Sequence, residues 1–200
     1  MPRYKQLIFL GFLATGALAG CAGSKSAERD GPSADARSRA AGEAIRPPRG
    51  ANEEVAEQDA NGDGRPDVWT YTVDGTKVRQ ELDLNWDGRV DLVRHFDANG
   101  DKAREALDLD FDGRVDATYF YEKGVNTRRE RDTNGDGRPD SFTYYEGGKL
   151  VRKERDTRGA GRIDYWEYWE GGQVDRIGED LDGDGTVDKW TRNPNNTARE

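Results

Sequence analysis

Aspartate, asparagine and glycine recur in this chain in one nine-residue order. DANGDGRPD begins at Asp59, DLNWDGRVD at Asp83, DLDFDGRVD at Asp108, DTNGDGRPD at Asp132, DTRGAGRID at Asp156 and DLDGDGTVD at Asp180. The copies start 24 or 25 residues apart, the mark of one supersecondary unit repeated along the chain. Five of them carry oxygen-bearing side chains at positions 1, 3, 5 and 9, with Gly at 6. Short carboxylates and amides at alternate positions of a tight turn supply converging hard oxygens, the donor set of Ca²⁺, and the glycine allows the sharp bend.

Side chains at 1, 3, 5 and 9 and the backbone carbonyl at 7 form each candidate ligand set. They are Asp59, Asn61, Asp63, Arg65 and Asp67 in loop one, and Asp83, Asn85, Asp87, Arg89 and Asp91 in loop two. Loop three offers Asp108, Asp110, Asp112, Arg114 and Asp116; loop four offers Asp132, Asn134, Asp136, Arg138 and Asp140. Loop six offers Asp180, Asp182, Asp184, Thr186 and Asp188. Loops three and six hold four carboxylates and the other three hold three, so charge ranks three and six as the tightest sites. In loop five Arg158 and Ala160 replace the ligands at positions 3 and 5. No cation is expected there, and the Arg158 guanidinium is expected near Asp156 and Asp164 in its place. The competing account is turn formation alone, since Asp, Asn and Gly favour tight turns without a metal.

The loop resembles the calcium loops of EF-hands, thrombospondin type 3 repeats and FG-GAP/VCBS repeats. Helices do not flank it, and position 12, a bidentate Glu in the EF-hand, is Thr70, Arg94, Tyr119, Thr143 and Thr191 in the five complete loops. The resemblance therefore implies that the position-9 Asp completes the shell, with extracellular-module affinity of roughly 0.1–1 mM.

The elements that hold the loops read as strands. Two and four residues past each loop stand pairs such as Trp69 and Tyr71, Phe142 and Tyr144, or Trp166 and Tyr168, with a mostly polar residue between. Period two with aromatic and β-branched residues predicts β-strand. Asp74-Gly75, Lys123-Gly124, Gly147-Gly148 and Gly171-Gly172 suit two-residue hairpin turns; the second unit has a longer turn over residues 97–101. Return strands follow, each with Arg four residues before the next loop (Arg79, Arg104, Arg128, Arg152, Arg176) and, in three units, Glu two residues on (Glu81, Glu130, Glu154). The expected fold is all-β: about five and a half hairpins in an open antiparallel meander, some eleven strands. The Arg/Glu pattern reads as a solvated sheet face with cross-strand charge pairs, or as an arginine row that binds an anionic glycan. The aromatic stripe reads as core, or as a glycan-stacking platform.

The N-terminus carries an address. Arg3 and Lys5 precede an apolar run over residues 7–19, too short for a permanent transmembrane helix. It ends in Leu18-Ala19-Gly20-Cys21, which resembles the lipobox of bacterial lipoproteins. The resemblance implies a signal peptide over 1–20, a lipidated Cys21, and, with Ala22 in place of Asp, the outer membrane of a bacterial envelope. Residues 21–52, rich in Ala, Gly, Ser, Arg and Pro, read as a flexible linker spanning roughly 30 Å, leaving 53–200 as the repeat domain.

Residues 1–20 carry two bases and no acid, and 21–50 six bases and four acids, so the formal −9 of the chain leaves about −13 on residues 51–200. That charge repels nucleic acid and anionic lipid. Five divalent ions would bring it to about −3. No nucleophile–base set is present: the one histidine, His95, falls on a strand face, and Cys21 is the only cysteine. The chain is thus expected not to be an enzyme. It reads as a calcium-binding envelope protein with a structural or adhesive role toward an envelope protein, or as a glycan- or wall-binding module.

Overall fold

The computed structural model describes residues 43–194. Cys21, the expected signal peptide, the expected linker up to residue 42 and the polar tail 195–200 lie outside the described residues.

Twelve antiparallel strands form one open sheet in strict chain order, with no helix among the described residues. They are β1 (Glu54–Gln58), β2 (Val68–Val73), β3 (Thr76–Leu82), β4 (Leu92–Phe96), β5 (Lys102–Leu107), β6 (Ala117–Glu122), β7 (Val125–Arg131), β8 (Ser141–Glu146), β9 (Lys149–Arg155), β10 (Tyr165–Glu170), β11 (Gln173–Glu179) and β12 (Lys189–Arg192). The predicted meander is the observed one, with β1 added. That strand, EVAEQ, is mostly exposed and has no aromatic, so it lacks the alternation that marked the others; pairing with β2 makes it a strand. In all four two-residue turns both central residues have positive φ, from 50° at Asp74 and Lys123 to 82° at Gly172, as type I′ turns require. The hairpin turns lie at one end of the strands and the six acidic loops at the other.

Register builds two rows on one face. The row nearer the loops runs Trp69, Glu81, Val93, Ala106, Thr118, Glu130, Phe142, Glu154, Trp166, Gly178, Trp190. The next runs Tyr71, Arg79, His95, Arg104, Phe120, Arg128, Tyr144, Arg152, Tyr168, Arg176. In the second row guanidinium and ring alternate: Arg79 lies 3.9 Å over Tyr71, Arg128 4.0 Å over Phe120, Arg152 4.3 Å over Tyr144 and Arg176 4.5 Å over Tyr168. Each such contact contributes about 0.5–2 kcal/mol, more as it is desolvated.

The arginines also bind the first row. Arg79 pairs with Glu81 at 3.0 Å, Arg128 with Glu130 at 3.0 Å and Arg152 with Glu154 at 3.3 Å. The Arg79 and Arg152 Nε contacts are ion pairs without hydrogen-bond alignment. Tyr71 and Tyr144 close the triads by donating their hydroxyls to Glu81 at 2.9 Å and Glu154 at 3.1 Å. Glu81 and Glu154 are fully buried, and a buried carboxylate persists only with such partners. The Arg/Glu pattern is therefore an internal ion-pair ladder, and the pairs lie along one strand rather than across strands.

Trp69, Tyr71, Phe142 and Trp166 are buried core residues, whereas Trp190 at the end of the row is 49% exposed. The core has two clusters. One joins Ile45, Trp69, Tyr71, Val90, Val93 and Ala106; the other joins Phe142, Ile163 and Trp166, with Tyr144, Tyr168 and Val187 against it. Val90, Ile163 and Val187 come from position 8 of their loops, so the acidic loops also help close the core. Gly178 stands where three other strands have glutamate, and the Trp190 ring lies 3.0 Å from where a Cβ would be.

The end of the linker is corrected. Composition places residues 43–50 in it, yet Ile45 is buried in the first cluster and Ala44 bridges Arg114 of loop three. Arg46 lies 4.7 Å over Trp69 and pairs with Glu81 at 3.0 Å, while Glu43 pairs with Arg104 at 3.1 Å. One aliphatic residue among prolines and arginines was enough to strap the segment across the open face.

Candidate cation-binding loops

Each loop is held by its own carboxylates. The position-1 Asp accepts the N–H groups of positions 4 and 6: Gly62 and Gly64 donate to Asp59 at 2.6 and 2.8 Å, Trp86 and Gly88 to Asp83 at 2.7 Å each, and Gly183 and Gly185 to Asp180 at 2.6 and 2.7 Å. Loops three and four repeat this on Asp108 and Asp132. The position-9 Asp accepts from position 2 in every loop, as where Ala60 donates to Asp67 at 2.8 Å and Leu84 to Asp91 at 2.8 Å. Positions 3 and 5 accept the N–H two residues on: Asp63 donates to Asn61 and Arg65 to Asp63, both at 2.8 Å, and loops two, three, four and six follow suit. Position 7 thus enters through its N–H in all five.

Backbone bonds then chain the loops together. Asp83 donates its N–H to the carbonyl of Asp67 at 2.9 Å, Asp108 to Asp91, Asp132 to Asp116 and Asp156 to Asp140 at 2.8 Å, and Asp180 to Asp164 at 3.0 Å. The last residue of each loop is therefore the neighbour of the first residue of the next, and the aspartates line one end of the sheet.

Carboxylate oxygens converge in two loops. Asp108, Asp110 and Asp116 of loop three, and Asp180, Asp182 and Asp184 of loop six, each place oxygens within 4.8 Å of one another. Oxygens on opposite sides of a calcium ion at about 2.4 Å stand about 4.8 Å apart, so neither group is too widely spaced to share that ion. Asp112 and Asp188 fall outside these groups. Loops one, two and four have an asparagine at position 3, whose amide donates to the position-5 carboxylate at 3.3 Å; turning that amide would present its oxygen instead.

The electrostatics differ between the two groups. Burial pushes Asp108 up, and the like charge of Asp116 adds to it against the pull of three N–H donors. Burial also pushes Asp180 up, but the N–H groups of Gly183 and Gly185 and the Arg158 cation outweigh it, and the net direction is down. Asp59 is lowered by the N–H groups of Gly64 and Gly62.

Loop five departs from expectation in part. Arg158 pairs with Asp164 at 3.4 Å, as anticipated, but its terminal nitrogen donates to the carbonyls of Asp180 at 2.6 Å and Leu181 at 3.2 Å in loop six. The guanidinium is a strut between neighbouring loops rather than a plug in its own. Asp156 accepts from Ala160 and Gly161 instead. His95 sits between Arg79 and Arg104 in the second row, its pKa lowered by burial and then by Arg104 and Arg79.

Position 4 escaped the sequence reading. It is Gly in four loops, at φ of 66–85°, but Trp86 in loop two and Phe111 in loop three, at φ 67° and 66°. Left-handed backbone on a bulky aromatic is an outlier. The signal was visible as two aromatics in a column of glycines.

No family model and no curated protein matches the chain. Among solved structures it is similar to one chain of the crystal structure of accessory secretory protein 1, 2 and 3 in Streptococcus pneumoniae, at 15% identity and a TM-score of 0.37, over 66% of this chain and 22% of that one. The chain therefore spans about a fifth of that protein's length.

Proposed function

We propose that this is a lipid-anchored, calcium-binding protein of the bacterial cell envelope, in which ions stiffen the end of the sheet that carries the loops, for a structural or adhesive role. The observation that carries the reading is the convergence of carboxylates in loops three and six, the two that charge alone ranked first. Binding at a joint between hairpins would couple occupancy to rigidity.

Calcium calorimetry on the mature chain with Cys21→Ser tests the reading. Saturable binding with Kd of roughly 0.1–1 mM is expected, reduced by Asp110→Ala and by Asp182→Ala one site at a time. Calcium at a hundred times Kd should add about 2.7 kcal/mol per site to stability, seen as a rise in Tm that a chelator reverses. An unchanged Tm with no binding heat defeats the proposal.

A further inference from the structure

The apolar tips of loops two and three remain unexplained by ion binding. Leu84 is 48% exposed, Trp86 52%, Leu109 45% and Phe111 44%. None belongs to either core cluster. The two loops are consecutive along the sheet end, joined where Asp108 donates to the carbonyl of Asp91 at 2.8 Å. Trp86 and Phe111 hold this exposure against the steric preference of their own backbone. Exposed apolar side chains on two consecutive loops of a charged protein point to an interaction site.

The chain itself indicates the occupant. The strap meets the sheet at loop three: Val115 donates its N–H to the Glu43 carbonyl at 3.0 Å, and Ile45 donates to the Gly113 carbonyl at 3.1 Å, two residues from Phe111. The route from Cys21 to the sheet therefore arrives beside the apolar tips. Twenty-one residues lie between Cys21 and Glu43, a span of at most about 75 Å. Residues 22–42 contain no Val, Leu, Ile, Met or aromatic residue, so they offer nothing to bury on the patch. A second copy would bring its own row of aspartates against this one.

We propose that Trp86 and Phe111, with Leu84 and Leu109, insert into the interfacial region of the bilayer that carries the lipidated Cys21, seating the loop end on a zwitterionic lipid surface. The inference rests on the lipid-anchor reading. Trp, with an apolar ring and an N–H, is suited to the headgroup boundary, and Phe and Leu add apolar area buried just below it. The acidic rim selects zwitterionic over anionic lipid. Tethering raises the local concentration to the order of millimolar, so weak insertion suffices.

The test uses the full mature chain anchored in phosphatidylcholine vesicles, with tryptophan emission read against lipids brominated in the acyl chain. The wild-type chain should be quenched and Trp86→Phe should not. The double variant Trp86→Gly, Phe111→Gly adopts the residue of the other four loops, so its Tm should hold or rise while quenching is lost. Equal quenching of wild type and Trp86→Phe, or no quenching of a chain that stays on the vesicles, overturns the proposal without touching the anchor. Mass spectrometry of Cys21 judges the anchor separately. If Cys21 carries no lipid, the anchor reading fails, and the chain is attached through an N-terminal His-tag and chelating lipid so that insertion is still read.

Discussion

At the scale of single residues, stability is concentrated in the buried Tyr–Arg–Glu triads. Glu154 is fully buried, bonded to the Tyr144 hydroxyl and paired with Arg152. Glu154→Gln keeps the shape and removes the charge that balances the guanidinium; it should cost about 2–3 kcal/mol in a urea titration. The same triad sets an alkaline limit. Burial, then the neighbouring Glu154 carboxylate, pushes the Tyr144 phenol up to about 12 from its ordinary 10. Between these values the unfolded chain has lost the proton that the folded chain retains. The contribution is therefore complete below pH 10 and is lost as pH rises toward 12. Spectrophotometric titration of tyrosine should show a late-ionising group that Tyr144→Phe deletes. The spacing of Arg79 and Glu81 was legible in the sequence. That the pair lies beneath the surface was not, because such a pattern equally fits a solvated face; only the neighbouring ring and the closing loop decide burial.

At the scale of the element, the acidic loop is both connector and clasp. Its position and its repeat followed from residue type and spacing, whereas which three of the four carboxylates gather in loops three and six did not. The reach of Arg158 into loop six did not either, since it depends on how far apart register places two loops. Loop five supplies a gain-of-function test. Arg158→Asn with Ala160→Asp restores oxygen side chains at positions 3 and 5 between Asp156 and Asp164. Calorimetry should then count one more calcium site than in the parent chain. Loss of the contacts to Asp180 and Leu181 should lower Tm in the absence of calcium and leave a larger calcium-induced rise. An unchanged stoichiometry would assign this loop to turn formation alone.

At the scale of the whole sheet, pairing follows chain order without exception: every strand–strand contact joins consecutive strands. The strap of residues 43–50 adds a distant tie to the first hairpins, from Glu43 to Arg104 and from Arg46 to Glu81. This tie was hidden in the sequence because composition argues about averages, whereas a single Ile45 chooses a site. Nothing in the sheet must close on itself, so its length is a free variable counted in whole units. Excising residues 132–155 would bring Arg131 next to Asp156 and set β7 against β10, with Arg131 facing Tyr165 as Arg155 now does. The shortened chain should still melt in one transition, with a smaller m-value in proportion to the surface removed. A cut that is not a whole number of units would break this register. The arithmetic of this protein is thus modular: its reach can be lengthened or shortened by whole steps, each carrying its own joint.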